Sequence, residues 1–125
     1  MHNFPKREHI VSTRLIEQLF GSGSTSMAAY PLRAVFRMTE RSQTEVPVQV
    51  LISVPKKRFK HAVDRNRVKR QIREAYRHHK QPLVDAIPAD QSLLLCFVWM
   101  GDRLAPSPIV ASRIGKLITR ITEKL

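Results

Sequence analysis

Residues 46–77 read VPVQVLISVPKKRFKHAVDRNRVKRQIREAYR, a stretch that changes from one structural pattern to another part-way along. Apolar side chains first occupy every second position, at Val46, Val48, Val50, Ile52 and Val54. This alternation predicts a strand that ends at Pro55, because proline cannot donate to a sheet ladder. The pattern then predicts a basic helix from about Arg65, with Asp64 as its N-cap. A strand followed directly by a long helix indicates that the fold combines both kinds of element.

The helix has one apolar stripe and one basic row. Its apolar positions recur at helical spacing, at Val68, Ile72, Ala75 and Tyr76. Its basic row repeats every fourth residue, at Arg65, Lys69, Arg73 and Arg77. Like charges at this spacing destabilise an isolated helix by a few tenths of a kcal/mol per pair, roughly. The row therefore indicates a polyanionic partner, and the planar fork of arginine suits phosphate.

Composition narrows the class of protein. The chain has 125 residues, a net charge of +12 and 42% hydrophobic residues. These values predict one folded domain, residues 1–125, with residues 1–8 as a flexible N-terminal segment. A charge of this size favours nucleic acid or an anionic membrane as the partner. The longest apolar run, residues 93–100, is too short to cross a bilayer, and the N-terminus lacks the apolar stretch of a signal peptide, so we expect no membrane partner and a cytoplasmic protein.

The remaining elements follow from spacing. Ser12 is the expected N-cap of a first helix, which ends near Gly21 and leads into a flexible loop over residues 21–26. Residues 30–38 alternate as a strand, and residues 39–45 form a polar connection. Residues 82–91 are expected to be a connection with at most one helical turn.

The C-terminal part of the chain predicts a buried strand and a final helix. Residues 93–100 show no alternation, which is typical of a central strand covered on both faces. Ser107 is the expected N-cap of the final helix, whose apolar stripe is Val110, Ile114, Leu117, Ile118 and Ile121. The order is helix, two or three strands, helix, strand, helix. It predicts an α+β two-layer sandwich with helices packed on a small mixed sheet.

The residues of the basic helix carry a resemblance to a known family. Residues 65–75, RNRVKRQIREA, resemble the Arg-Asn-Arg signature of the bacterial ribonuclease P protein component. Residues 54–59, 19–23 and 30–33 are similar to the strand end, first helix end and first strand of that family. The similarity follows the chain in order from about residue 6 to residue 80. Ile16 stands where the family often has an aromatic residue, and Lys60 where it often has a glycine.

The resemblance implies a function and a topology. It implies the protein subunit of a ribonucleoprotein that removes the 5′ leader from precursor tRNA, with ribonuclease P RNA and precursor tRNA as partners. The RNA subunit would carry the catalytic groups, so no catalytic residue is expected in this chain. The protein alone would bind no cofactor and be monomeric, while the RNA-containing holoenzyme would require Mg²⁺. The implied fold resembles domain 2 of ribosomal protein S5, with a left-handed β-α-β crossover.

Two sets of site residues follow. The expected RNA-binding residues are Lys56, Lys57, Arg58, Lys60, His61, Arg65, Asn66, Arg67, Lys69, Arg70, Arg73 and Arg77. The expected residues of a cleft for the single-stranded leader, between the first helix and the sheet, are Phe20, Phe36, Lys57, Lys69 and Arg73. Aromatic faces stack on unpaired bases, and basic groups contact phosphates. The sequence does not predict a metal site, and His78 and His79 are expected to lie at a solvated helix end.

Other functions remain open at this point. The acidic residues form no compact carboxylate motif, which disfavours a two-metal nuclease in the chain itself. A general RNA-binding or ribosome-associated protein could carry the same charge. A DNA-binding helix would need base-reading side chains, for which Asn66 and Gln71 are the candidates.

Overall fold

The computed structural model describes residues 4–10, 12–41 and 46–125. A short 3₁₀ turn, Lys6–Glu8, precedes the regular elements. These are α1 (Thr13–Leu19), β1 (Thr25–Ala29), β2 (Leu32–Glu40), β3 (Val48–Ser53), α2 (Ala62–His79), α3 (Gln81–Ala86), β4 (Gln91–Trp99) and α4 (Ser107–Lys124).

The four strands form one mixed sheet in the order β1-β2-β4-β3. β2 pairs antiparallel with β1 and with β4, whereas β3 pairs parallel with β4. The chain passes from β3 to β4 through α2 and α3, as a parallel pair requires. The predicted α+β class and mixed sheet are confirmed; the left-handed sense of the crossover stays a prediction.

The main core lies between α2, α4 and one face of the sheet. The predicted stripes of both helices are buried there, at Val68, Ile72, Ala75 and Tyr76 of α2 and at Val110, Ile114, Leu117, Ile118 and Ile121 of α4. The sheet contributes alternate residues to the same cluster, among them Leu32, Ala34 and Phe36 of β2 and Leu93, Leu95, Phe97 and Trp99 of β4. Gln71 fixes α4 against α2, since its Nε2 donates to the Ala105 carbonyl at 2.9 Å and to Ser107 Oγ at 3.1 Å.

The other face of the sheet carries α1. Leu15 and Leu19 of α1 form a second cluster with Leu94 and Cys96 of β4. The predicted cap is present, because Ser12 Oγ accepts from the backbone N–H of Leu15 at 3.4 Å. β4 is therefore covered on both faces, as its unbroken apolar run predicted. α1 adds a partial layer to the two-layer arrangement of sheet, α2 and α4.

Several element bounds differ from the sequence-based predictions. Residues 25 and 26, expected in a loop, begin β1, which is polar or small except for Met27. Residues 39 and 40, expected in a connection, belong to β2; residues 42–45 lie outside the described residues. α2 begins at Ala62 after His61, so Asp64 lies inside its first turn and does not cap it. α4 has Pro106 as its N-cap, in place of the predicted Ser107. The connection predicted over residues 82–91 contains most of α3.

The described part of the N-terminal segment contacts the rest of the domain; its flexibility stays a prediction. Glu8 Oε1 lies 2.8 Å from Lys80 Nζ, and the two side chains are 13% and 10% exposed. The ring of Phe4 stacks on His9 at 3.9 Å, and His9 bridges in parallel with Val50 of β3. No local sequence pattern indicates these contacts, because they join residues that are far apart along the chain. Residues 1–3 lie outside the described part of the chain.

Gly115 allows α2 and α4 to approach each other at His79. A Cβ at Gly115 would lie 3.0 Å from Cδ2 and 3.1 Å from Nε2 of the His79 ring. The ring is held in place because its Nδ1 donates to the Ala75 carbonyl at 2.8 Å. His79 is thus half-buried against α4, which corrects the expectation of a solvated helix end. His78 is exposed, as expected.

We expect Gly115→Ala to lower the free energy of unfolding by about 1 kcal/mol, since the new methyl group overpacks the ring. In a His79→Ala background the same change is expected to raise it by about 1 kcal/mol, through the helix propensity of alanine over glycine. Urea unfolding of the four variants measures this coupling. An effect of the same sign and size in both backgrounds would show that the ring yields without cost.

Cys96, the only cysteine of the chain, is fully buried in β4. Burial raises the pKa of the Cys96 thiol to about 12, whereas an unfolded cysteine titrates at about 8.5. Between the two pKa values only the unfolded chain loses the thiol proton of Cys96. The free energy of unfolding therefore falls as the pH rises from the lower pKa to the higher one. We expect the protein to lose about 1.4 kcal/mol more stability than Cys96→Ala between pH 7.5 and 9.5. Equal losses in urea titrations of the two proteins would mean that the thiol ionises in the folded state.

Candidate RNA interface

The outward face of α2 presents positive charge to solvent. Asn66, Arg67, Arg70 and Arg73 are exposed, and Lys69 is half-buried. Within the described ranges, none of these five side chains takes part in an ion pair. The apolar stripe fixes the rotation of the helix, so this face points away from the core. It is a surface of unpaired basic groups on a rigid element, suited to contacting phosphates.

Two arginines of the predicted basic row are engaged within the protein. Arg65 Nη1 donates to the carbonyls of Phe59 at 2.7 Å and Lys60 at 3.2 Å, which fastens the turn before α2. Arg77 forms an ion pair with Glu74, and His78 lies 3.0 Å from the same carboxylate. The hydrogen bond from Arg77 lowers the pKa of Glu74, and the same bond raises the pKa of Arg77. Arg65 and Arg77 thus bond within the protein, unlike the exposed basic residues of this face.

The turn between β3 and α2 extends the basic surface. Lys56, Lys57, Lys60 and His61 are exposed, whereas Arg58 is half-buried. Phe59 anchors the turn, since it is 7% exposed and its ring lies 6.4 Å from that of Trp99. The predicted basic residues 56–61 and the start of α2 are thus brought together at one end of the sheet.

A cleft candidate lies on the face of the sheet that α1 covers in part. Phe20 ends α1 and is 52% exposed. The register places Arg33 beside Val98 and Val98 beside Ser53, in a half-buried row across β2, β4 and β3. This row offers a basic group, an apolar surface and a hydroxyl along the open part of the sheet.

Arg37 holds α1 in its position above this face. Its Nη1 donates to the carbonyl of Gln18 at 3.3 Å and to that of Ser22 at 2.5 Å, which ties the end of α1 to β2. Arg33 Nη1 donates to Ser26 Oγ of β1 at 2.7 Å. The sequence-based site omitted both arginines, although the alternation of residues 30–38 places them on the face opposite Leu32 and Phe36. That alternation was the signal that could have identified them.

Three of the expected leader-cleft residues do not lie on this face. Phe36 is 5% exposed and belongs to the main core beneath α2 and α4, so its assignment to the cleft is wrong. Successive residues of a strand point to opposite faces, and Val35 takes the α1 side instead. Lys69 and Arg73 lie on α2, in the layer opposite α1. Phe20 and Lys57 remain candidates on geometry.

The described residues contain no group of three or more His, Cys, Asp or Glu side chains that could hold a metal ion. None of the helices in the described ranges combines the length and the hydrophobicity that a membrane span requires.

Comparison with known proteins decides the family. A family model described as Ribonuclease P matches residues 4–96. The chain belongs to this family. It is 37% identical over 117 residues to the ribonuclease P protein component of Porphyromonas gingivalis, covering 93% of this chain and 84% of that protein. It is 40% identical over 85 residues to the component of Chlorobium phaeobacteroides, covering 66% of this chain and 58% of that protein.

Solved structures of the ribonuclease P family share the fold. The protein from Staphylococcus aureus superposes with a TM-score of 0.70 at 17% identity, covering 93% of this chain and 95% of that one. The protein from Thermotoga maritima gives a TM-score of 0.61 at 20% identity, covering 90% and 96%. The family that the sequence resemblance implied is confirmed by the family model and the relatives, and the solved structures share the fold.

Proposed function

We propose that this chain is the protein subunit of a ribonuclease P ribonucleoprotein that removes the 5′ leader from precursor tRNA. The observation that carries the proposal is the unpaired basic face of α2 in a chain that belongs to this family. In this proposal α2 and the turn over residues 56–61 bind ribonuclease P RNA. The RNA subunit, with its Mg²⁺, carries out the hydrolysis, and the protein supplies binding and orientation.

The open face beside α1 is the proposed site of the leader. Phe20 offers an exposed ring at one border, and Arg33 a guanidinium beside the row of Val98 and Ser53. A single strand needs such a combination, because unpaired bases stack on aromatic rings while the backbone requires cations. Lys57, exposed in the turn that follows β3, would contact phosphates that leave this face.

A general RNA-binding protein is the nearest alternative, and the family match disfavours it. Binding to DNA through α2 is disfavoured because the Gln71 side chain is buried and bonds within the protein. This side chain is 9% exposed and bonds to Ala105 and Ser107, which leaves Asn66 as the one remaining base-reading candidate considered from the sequence.

Cleavage of a 5′-labelled precursor tRNA at low Mg²⁺ tests the proposal. The reactions contain the protein alone, a bacterial ribonuclease P RNA alone, or both. Cleavage at the mature 5′ end only when both are present is the expected result. Binding without enhanced cleavage would instead indicate a general RNA-binding protein, and cleavage by the protein alone would place catalytic groups in this chain.

The leader site has its own test. Phe20→Ala should weaken binding of the reconstituted holoenzyme to precursor tRNA by about 5-fold or more, through the loss of one stacking partner. Its affinity for mature tRNA, which has no leader, should stay unchanged. Equal weakening for both RNAs would remove Phe20 from the leader site.

A further inference from the structure

A second surface combines exposed apolar side chains with arginines, away from the α1 face. It is a shallow groove between the β1–β2 turn, the loop after β4 and the first turn of α4. Among the six large hydrophobic side chains exposed in the described part of the chain, three line this groove: Tyr30 at 70%, Leu104 at 39% and Ile109 at 40%. Such clustering on an otherwise polar surface indicates a binding site.

The groove is held in shape by backbone contacts. Met100 N donates to the Pro31 carbonyl at 2.7 Å, and Arg113 Nε donates to the Tyr30 carbonyl at 3.1 Å. A Cβ on Gly101 would lie 3.0 Å from Pro31 Cβ, so glycine allows the loop to approach the turn this closely. The Tyr30 ring is therefore presented on a fixed backbone, which lowers the entropy cost of stacking a ligand on it.

The charges of the groove favour an anionic partner. Arg103 and Arg113 line it, against one acidic residue, Asp102. A second copy of the chain would bring like arginines together and would also oppose its net charge of +12. An exposed aromatic ring in a groove that two arginines also line is instead suited to an unpaired nucleotide, with the base on the ring and the phosphate near arginine.

The groove also continues the proposed RNA surface. Ser53 of β3 pairs in parallel register with Val98 of β4, so the basic turn and the groove loop leave the sheet at the same end. Phe59 of the turn faces Trp99 of β4, and Gln71 of α2 bonds to Ala105 of the groove.

We propose that the Tyr30 groove, with Arg103 and Arg113, binds an unpaired nucleotide of the RNA subunit. The proposal rests on the proposed function, since it names a second contact with the same RNA. It places the interface on two elements, α2 and the groove, that meet at one end of the sheet.

Cross-linking tests the position of the RNA directly. Because Cys96 is the only cysteine and is buried, the thiol introduced by Tyr30→Cys can be labelled selectively with an azidophenacyl photo-cross-linker. Irradiation with a bacterial ribonuclease P RNA should give a cross-link confined to an unpaired segment. Leu125→Cys is the matched control, because it is also an exposed apolar position but lies at the opposite end of α4. Equal cross-linking from both positions, or none from position 30, would overturn the proposal.

Affinity measurements complete the test. Tyr30→Ala should weaken binding of the RNA by about 5- to 150-fold, while Tyr30→Phe, which keeps the ring, should stay within about 2-fold of the unchanged protein. Full affinity of Tyr30→Ala, in a protein that still stimulates cleavage, would overturn this inference and leave the proposed function standing. Failure of the unchanged protein to bind or stimulate the RNA would instead contradict the proposed function. A dimer of the free protein that Tyr30→Ala dissociates would overturn the inference by showing a contact between copies.

Discussion

Arg70→Ala is expected to weaken binding to a bacterial ribonuclease P RNA by about 10-fold at 0.1 M salt, because the variant loses one charge-assisted hydrogen bond. Arg70 is exposed on α2 and forms no ion pair within the residues that the structure describes. If it contacts a phosphate, the slope of log K against log salt should also fall by about one unit. Filter binding over a range of salt concentrations measures both quantities.

Arg77→Ala is the matched control for this experiment. It removes the same side chain from the same helix two turns later, but Arg77 is already paired with Glu74. We expect its affinity to change by no more than about 3-fold, because the pair already partly neutralises its charge. Equal effects at residues 70 and 77 would mean that the RNA responds to net charge alone. A stronger effect at residue 77 would contradict the assignment of the contact face.

The second large effect is expected from Lys80→Met, which should lower the free energy of unfolding by about 3 kcal/mol. Lys80 Nζ and Glu8 Oε1 lie 2.8 Å apart, and both side chains are nearly excluded from water. Methionine keeps the apolar stem but leaves the carboxylate without its cation, and an unpaired buried charge is costly. Urea unfolding with an unchanged m-value measures the loss.

The double variant Glu8→Gln with Lys80→Met separates the pair from the packing around it. It removes both charges, so it should recover at least half of the lost stability. A loss below about 1 kcal/mol in Lys80→Met would show that the N-terminal segment leaves its site at little cost and exposes Glu8 to water. No recovery in the double variant would assign the effect to the lysine stem.

Periodicity predicted the elements that bury a regular face. The stripes of α2 and α4, the alternation of β3 and the continuous apolar run of β4 are each local patterns, and each was confirmed. β1 was not predicted from the sequence, because Met27 is its one buried side chain and glycine and serine precede the strand. Its strand conformation depends on pairing with β2, a contact that no local pattern reveals.

The site was less predictable from the sequence. The wrong predictions concern the face of the sheet on which a side chain lies and the groups to which it bonds. Alternation separated the two faces of β2 but could not tell that Phe36 packs under the helices and Val35 under α1. The basic residues predicted at every fourth position do lie on one helix, yet two of them, Arg65 and Arg77, bond within the protein. Charge on a helix face is visible in a sequence, whereas its neutralisation depends on where carbonyls and carboxylates lie after folding.

The strand order has a consequence for how the chain is made. β4, the last strand in sequence, is the neighbour of both β2 and β3. A nascent chain that ends before residue 91 therefore contains β2 and β3 without the strand that joins them, and it leaves their polar edges unpaired. The sheet can close only after residues 91–99 have been synthesised, so we expect a chain that ends before β4 to stay unfolded.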